Sequence, residues 1–484
     1  MRDTRGIGIG REALYTLVSK FTMALVGFGG TVVFARVLGA SDLGVYRTAL
    51  AAAFVATQLS GGVGDAVKKR VSEVDVVPGV FLGGGLLVHL AATGVVLLGM
   101  ALAIEPAAAY FGSPAIAFGV VAVVGSLGLF NVVNRFYAGL GYPARSSWMD
   151  TIRSVVTVVA QLALLFAGFR VAGLVAGLAL GTLVTAVAAG VAAGVAPARP
   201  TRTTLDRIWS FARWAVPNNL LTNLYSSADV LIVTALVGTT AAGLYGVASQ
   251  LVMPAAFLAS SISGALYVKG SGHHSAGEPV AQDLVNSVAY SGLFAVPMLF
   301  GVLAMPRAIP RTVFGGEFAA AGPALVGLAL FQVGNVYSTP FESIFQGTDR
   351  PAAVFRVNLL VTAVHLPLAV AGGWAYGLVG VVGATVAAEA LRLAVYEFLA
   401  WRTFDRVVCP RPVLEQVGSA VAMFLALEFA LRHVSVTGWV ALLGLVGGAA
   451  ALYFGVLFVA SRQFRLALRY AVPLESWPFE TPPE

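Results

Sequence analysis

Apolar residues along this chain neither alternate nor recur in helical stripes; they run on for about twenty residues at a time, between short polar or glycine-containing breaks. Fourteen such runs can be traced, near residues 15–38, 43–62, 79–104, 115–140, 149–168, 171–195, 209–237, 241–266, 284–305, 321–346, 352–372, 376–401, 413–432 and 437–460. A helix of roughly 20 residues is about 30 Å long, the thickness of a bilayer's hydrocarbon core. Backbone groups cannot go unpaired in lipid, which leaves helices or a closed barrel. A barrel needs short segments of alternating polarity, and these runs are long and continuous. The pattern predicts an all-α integral membrane protein with about fourteen transmembrane helices.

Two of the breaks are alike. "VLGASDLGVY" (37–46) separates runs 1 and 2, and "LVGTTAAGLY" (236–245) separates runs 7 and 8, so that Gly39, Gly44 and Tyr46 align with Gly238, Gly243 and Tyr245. Gly39 and Gly238 can end a helix in the left-handed conformation. Gly44 and Gly243 permit close approach where the next helix starts, and the tyrosines suit a membrane interface. A second pair, "YAGLGYPA" (137–144) and "FQGTDRPA" (345–352), matches Gly139 and Pro143 with Gly347 and Pro351 at the end of the fourth helix of each half. The offset is 199 residues for the first pair and 208 for the second, the difference being taken up by the longer loop "PRAIPRTVFGGEFAAAG". Runs 1–6 and 7–12 therefore read as two copies of one unit. Six is even, so both copies enter from the same side as a parallel repeat, with a substrate pathway expected at their interface. The expected organisation is an N-terminal six-helix bundle (1–200), a C-terminal one (201–405), an extra helix pair (406–462) and a cytoplasmic tail (463–484).

Composition agrees: 58% of residues are hydrophobic and 11% charged, with a mean hydropathy of +0.85, where a soluble domain carries roughly 25% charged residues. The net charge of +7 reports orientation rather than a nucleic-acid partner. With the N-terminus inside, the inner segments hold Arg2, Arg5, Arg11, Lys68, Lys69, Arg70, Arg145, Arg199, Arg202, Arg207, Arg213, Lys269, Arg350, Arg356, Arg402, Arg406, Arg411, Arg462, Arg465 and Arg469. The outer ends and loops hold Arg36, Arg47, Arg170, Arg307, Arg311 and Arg432. The asymmetry places both termini in the cytoplasm. The first run is too long for a signal peptide and lacks a cleavage site, and reads as a retained helix. Cys409 is the lone cysteine, so no intramolecular disulfide can form.

Fourteen helices as two six-helix bundles plus a pair resemble the multidrug/oligosaccharidyl-lipid/polysaccharide exporter superfamily. Within it, "ARVLGASDLGVYRTALAAAFVATQLSGGVGDAVKKRVSE" is similar to the first hairpin of the polysaccharide transporters, the O-antigen-type flippases. "NNLLTNLYSSADVLIVTALVGTTAAGLY" and "VFGGEFAAAGPALVGLALFQ" carry the resemblance into the second half. It implies a flippase for undecaprenyl- or dolichyl-linked saccharides in the cytoplasmic membrane, in a functional link with glycosyltransferases, and leaves the sugar open.

Enzyme readings fare poorly. No Asp-x-Asp and no Gly-x-x-x-x-Gly-Lys-Ser/Thr loop occurs, the loops are short, and Gly6, Gly8 and Gly10 follow no strand. The adjacent His273 and His274 lack a nearby cysteine and read as a solvated loop pair rather than a metal site. No cofactor is expected. The informative residues are charges inside spans, each costing about 2.5–3.5 kcal/mol at the membrane centre and therefore expected to face a cavity or a partner. Lys20, Arg36, Arg47, Arg135, Arg153 and Arg392 are candidates for a basic cavity that receives the phosphates of a lipid-linked saccharide. The bland readings are snorkelling for Lys20, Arg36, Arg47, Arg135 and Arg153, and an i,i+3 ion pair for Glu389 and Arg392. Asp229, with Asn219 and Asn223 on the same helix, is the candidate for coupling to Na+ or H+, against a helix–helix hydrogen bond; Glu342, Glu389 and Glu428 complete the acidic set. Pro217, Pro254, Pro297, Pro340 and Pro367 fall inside helices 7–11 as candidate hinges. Gly173, Gly177 and Gly181 suit close packing of helix 6.

The leading expectation is a lipid-linked oligosaccharide flippase working by alternating access, moving its substrate from the inner to the outer leaflet. The alternatives are an ion-coupled drug or cation antiporter of the same superfamily, a lipid II-type flippase and, less favoured, a membrane glycosyltransferase. An antiporter cavity would be acidic, and on sequence the first six spans read as free of acidic residues.

Overall fold

The computed structural model describes residues 9–73, 76–405, 407–408 and 410–471. Arg2, Arg5, Gly6, Gly8, Arg406, Cys409 and the tail residues 472–484 lie outside the described residues.

The described chain is helical throughout. In order come α1 (Ile9–Ala56), α2 (Gln58–Val71), α3 (Pro78–Leu102), α4 (Ile104–Phe111), α5 (Pro114–Gly139), α6 (Pro143–Leu164), α7 (Arg170–Ala193), α8 (Arg202–Leu236), α9 (Thr239–Val252), α10 (Ala256–Ser275), α11 (Ala281–Ser291), α12 (Ala295–Ala304), α13 (Ala308–Phe314), α14 (Gly322–Gly347), α15 (Pro351–Phe404), α16 (Arg411–Leu431), α17 (Trp439–Ala460) and α18 (Arg462–Ala471). The starts follow local chemistry. Ser113 and Thr201 cap α5 and α8 by accepting the Ile116 and Thr204 amides, and Pro114, Pro143 and Pro351 open α5, α6 and α15, where a missing N–H costs nothing.

Among the described residues ten helical segments are long and apolar enough to cross a membrane. Three of these, 18–56, 143–193 and 351–404, each hold two spans joined at a positive-φ glycine: Gly39 (φ 79°), Gly168 (φ 93°) and Gly377 (φ 59°). With α8, all fourteen apolar runs are found as helices.

Backbone conformation carries the duplication further than the sequence did. Positive φ recurs at Gly39 and Gly238, Gly112 and Gly315, Gly141 and Asp349, and Gly168 and Gly377, each pair at matching breaks of the two halves. Gly39 differs in detail from its expectation: with ψ 178° it lies in the extended mirror region, open essentially to glycine alone, rather than in the left-handed helical one. Packing repeats too. A Cβ on Gly139 would lie 2.8 Å from the Lys68 carbonyl oxygen, and one on Gly347 would lie 2.7 Å from that of Tyr267, the equivalent residue.

Contacts divide the chain into two compact units, Met1–Val247 with Leu368–Val381, and Ala248–Pro367 with Val382–Glu484. In the first, Val63, Val67, Phe81, Leu82, Val132, Phe136 and Ile208 form a buried cluster joining α2, α3, α5 and α8. In the second, Val296, Met423, Tyr453 and Leu457 bury α16 and α17 against α12. The last helix, α18, is tied back by Arg465, whose Nη1 donates to the Phe458 and Val459 carbonyls at 2.8 Å each.

The glycine stripe of helix 6 does pack closely. Cβ atoms on Gly177 and Gly181 would sit 2.7 Å from the Cα atoms of Gln161 and Thr157 on α6. Gly177→Leu is therefore expected to cost about 1–3 kcal/mol by overpacking. Gly94→Leu, at a position with open space around it, serves as the control, and thermal unfolding of the detergent-solubilised variants reads the difference.

Candidate functional site

The two similar turns meet each other. Inside the first unit, a Cβ on Gly44 would fall on the Thr239 carbonyl oxygen and 2.7 Å from its carbon; a Cβ on Gly243 would fall on the Ala40 oxygen and 2.9 Å from its carbon. Ala40 and Thr239 are themselves equivalent, so the contact is reciprocal, as a two-fold relation between copies requires. Ser41 Oγ and Thr239 Oγ1 lie 3.1 Å apart beside it. From this point α1 and α2 run antiparallel to α8: Thr48 Oγ1 meets Thr234 Oγ1 at 2.6 Å, Gly62 admits the Val216 backbone, Asn219 Nδ2 donates to Asp65 Oδ2 at 3.0 Å, and Arg207 Nη2 donates to Glu73 Oε2 at 2.5 Å.

Arg135 is held in the lower part of this seam. Its guanidinium pairs with Asp65 and donates from Nη1 to the Gly61 carbonyl at 3.0 Å. The Arg135 and Asp65 side chains are each 33% exposed. Asn219 therefore binds Asp65 rather than standing with Asp229, and Asn223 donates to the Asn219 carbonyl at 3.0 Å. Nine residues beyond Gly64, Glu73 accepts from Arg70 Nη1 at 2.8 Å as well as from Arg207, while Arg70 Nε donates to the Arg207 carbonyl at 3.0 Å. Burial raises the Glu73 pKa, but its hydrogen bonds and charges from Arg70 and Arg207 together leave it below the ordinary carboxylate value. A depressed folded pKa stabilises above the unfolded value, about 4.3, and the contribution is lost as pH falls through the folded value. Glu73→Gln is expected to flatten that acid limb of the stability–pH curve, read by thermal unfolding between pH 7 and pH 3; an unchanged limb would contradict it.

The remaining candidates of the first unit are spread out. Lys20 is exposed, next to Ser19, whose Oγ donates to the Ser147 carbonyl at 2.8 Å. Arg36 is exposed just before Gly39. Arg47 is half-buried, with Nη2 3.4 Å from Thr31 Oγ1 and its stem laid on Gly246. Arg153 donates to Asp150 Oδ1 at 2.9 and 2.8 Å and sits 5.2 Å from the Phe130 ring centroid. Asp65 and Asp150 thus correct the reading of acid-free spans; each is matched by an arginine, so neither builds an acidic cavity. Asp229, 2% exposed, accepts from Tyr245 Oη at 2.6 Å. Tyr46 and Tyr245 point into the protein: both are buried, and Tyr46 Oη accepts from Gln161 Nε2 at 2.7 Å.

In the second unit one buried network gathers the predicted charges. Glu389 Oε1 accepts from Ser338 Oγ at 2.7 Å and from Arg392 Nε at 3.1 Å, and Arg392 Nη2 donates to Asn335 Oδ1 at 2.7 Å. The i,i+3 pairing of Glu389 and Arg392 is therefore realised, with side chains 1% and 11% exposed. Glu342 accepts from Gln346 at 3.1 Å. Pro217, Pro340 and Pro367 lie inside continuous helices, whereas Pro254 sits in a 3-10 segment between α9 and α10, and Pro297 follows the break between α11 and α12. Pro367 is also where α15 passes from one compact unit to the other. His273 and His274 end α10 rather than occupying a loop, and His273 Nδ1 lies 3.1 Å from Asp283 Oδ2. Among the described residues no cluster of His, Cys, Asp and Glu suits a metal ion.

Asp65, Asn335, Ser338 and the Arg70–Glu73–Arg207 cluster were missed on sequence. The signal for Asp65 was present: it closes "SGGVGD", where Gly61, Gly62 and Gly64 thin one helix at the point two others approach.

A fourteen-span helical protein with two copies of a six-helix unit, and cations set along their spans, is a membrane transporter of the two-bundle exporter type. The family described as "Polysaccharide biosynthesis protein" matches residues 88–323. A probable flippase, AglR, of Haloferax volcanii is 25% identical over 478 residues, 94% of this chain and 97% of its own. A probable low-salt glycan biosynthesis flippase, Agl15, of the same organism is 22% identical over 395 residues, 80% and 82% of the two chains. The fold is shared with the lipid II flippase MurJ in an inward closed conformation, at TM-score 0.79 and 14% identity, over 94% of this chain and 99% of that one. These matches make the chain similar to the polysaccharide flippases of the multidrug/oligosaccharidyl-lipid/polysaccharide exporter superfamily.

Proposed function

We propose that this protein carries polyprenyl- or dolichyl-(pyro)phosphate-linked saccharides from the inner to the outer leaflet of the cytoplasmic membrane by alternating access. The similarity to AglR along nearly the whole of both chains carries this reading; the cations of the spans supply its chemistry. Phosphates cross hydrocarbon only with charge-matched donors, and Lys20, Arg36, Arg47, Arg135, Arg153 and Arg392 are the groups assigned to them. The basic end of the molecule, with both termini, faces the cytoplasm. Helices 1–6 and 7–12 act as the two bundles, with the reciprocal Gly44–Gly243 contact, at the opposite, outer end, separating when the pathway opens outward, and the five helix prolines bend. Asp229 is assigned to Na+ or H+ coupling, with its Tyr245 bond as the switchable contact. Glycosyltransferases supply the substrate.

In a deletion strain, lipid-linked saccharide is expected to accumulate where a membrane-impermeant glycosidase cannot reach it, and to become accessible on complementation. Equal accessibility in both strains would contradict the reading. For coupling, Asp229→Asn is expected to abolish dependence of transport on an ion gradient while Tyr245→Phe weakens it. Gradient dependence unchanged in Asp229→Asn would remove Asp229 from that role.

A further inference from the structure

The ion pairs Asp65–Arg135 and Glu389–Arg392 differ in kind, the first joining two helices and the second lying within one. Glu389 and Arg392 are the more deeply buried, 1% and 11% exposed, and further tied to Ser338 and Asn335. Asp65 and Arg135 are each 33% exposed, so part of each side chain is left accessible to a second partner. A half-open ion pair contributes little net stability, about 0–1 kcal/mol, and so exchanges readily for a stronger anion.

The surroundings of Arg135 suit such an exchange. Three helices converge because α2 is thinned by glycine. A Cβ on Gly62 would lie 2.7 Å from the Val216 nitrogen of α8, and one on Gly64 would lie 2.9 Å from Arg135 Cδ and 3.1 Å from the Asn131 carbonyl of α5. Over Gly61 the missing side chain leaves a small polar cradle, where a Cβ would meet Gln58 Oε1 at 3.4 Å, Asn219 Nδ2 at 3.8 Å and Arg135 Nη2 at 3.9 Å. Asp65 brings to this place one carboxylate, held by Arg135 and by Asn219 Nδ2. A guanidinium edge plus an amide N–H is the donor set that also takes a phosphate, and a phosphate offers more charge and a third oxygen.

We propose that Asp65 is a built-in counter-ion that occupies the anion-binding edge of Arg135 in the unloaded protein, and that the phosphate of a lipid-linked saccharide binds by displacing it. The proposal rests on the flippase reading above and specifies how one of its cationic groups works. Displacement leaves Asp65 a route out. Lys69 lies four residues on, one helical turn along the same face, 56% exposed and with Nζ 4.0 Å from Glu73 Oε1. The charge of Arg135 is thus never left bare in the membrane, which would cost several kcal/mol. It passes from an internal carboxylate to the substrate and back, and return of Asp65 helps release the phosphate on the far side of the cycle.

The test is equilibrium binding of radiolabelled undecaprenyl phosphate, and separately of inorganic pyrophosphate, to the full-length protein in neutral-lipid nanodiscs. Asp65→Asn keeps the shape and the Asn219 partner but removes the competing charge, and is expected to bind undecaprenyl phosphate about 10-fold more tightly than wild type, the worth of one charge-assisted bond. Arg135→Gln is expected to lose at least that factor, and Arg135→Lys to fall between Gln and wild type, which guards against a folding defect in the glutamine variant. The double Asp65→Asn/Arg135→Gln protein is expected to match Arg135→Gln alone. The same order with pyrophosphate would place recognition in the phosphate itself; the order with the lipid alone would place it in the anchored headgroup, and both support displacement. Equal or weaker binding by Asp65→Asn, or wild-type binding by Arg135→Gln, would overturn this inference while leaving the flippase reading standing. Absence of binding by wild type and by Asp65→Asn alike, with undecaprenyl phosphate and with dolichyl phosphate, would overturn both.

Discussion

Gly44→Ala is expected to destroy the protein's function, and Gly29→Ala to leave it close to wild type. Both are glycine-to-alanine changes in α1, but they meet different surroundings. The added methyl at Gly44 falls on the Thr239 carbonyl, with the Gly243 nitrogen 2.9 Å away. Backbone on both faces cannot turn aside as a side chain would, so α1 must move off α9. The cost is about 3 kcal/mol, the upper end for overpacked sites, and it is placed where the two copies touch. At Gly29 nothing lies within 4 Å, and alanine gains helix propensity of up to about 1 kcal/mol. Gly243→Ala should reproduce Gly44→Ala, because the contact is reciprocal. Thermal unfolding in detergent and complementation of a deletion strain read the two effects; wild-type behaviour of Gly44→Ala would mean the copies do not meet there.

Arg392→Met is expected to cost about 3–5 kcal/mol, because it strands the Glu389 carboxylate in an environment where it is 1% exposed. Replacing both partners, Arg392→Met with Glu389→Leu, removes the stranded charge and should return most of that stability, since a buried ion pair is often no better than an apolar pair of similar volume. The double variant also separates structure from function. If Arg392 meets the substrate phosphate as proposed, the stable double protein transports at least about 10-fold more slowly. Transport at the wild-type rate would remove Arg392 from the substrate-binding set. Single-variant instability that persists in the double would contradict the ion-pair account.

The fold was legible because lipid enforces it: a span must be helical and about 20 residues long, so continuous apolar runs sufficed. The copies were legible where glycine is required, since Gly39 and Gly238 adopt positive φ that other residues avoid. Reach across the chain was not legible. Tyr46 looked interfacial beside its turn, yet its partner Gln161 is 115 residues away and draws the ring inside. Asn219 shares a helix with Asp229, but its nearest chemistry is Asp65, 154 residues away on another helix. The prolines divide for a related reason. Whether the lost N–H bends a helix depends on what neighbouring helices supply, so Pro340 continues α14 while Pro254 breaks its span. Charges were found by type; which charge faces which was a property of packing.

The most direct measurement is flipping by the purified protein in proteoliposomes. A polyprenyl-diphosphate-linked oligosaccharide is loaded in the inner leaflet, and its appearance outside is followed by capture with an impermeant lectin. The expected result is saccharide transfer by wild type well above protein-free vesicles, reduced at least about 10-fold in Arg135→Gln and blocked by a Ser41→Cys/Thr239→Cys cross-link across the reciprocal seam in a Cys409→Ser background. Transfer by wild type no faster than in protein-free vesicles would contradict the assignment as a lipid-linked saccharide flippase.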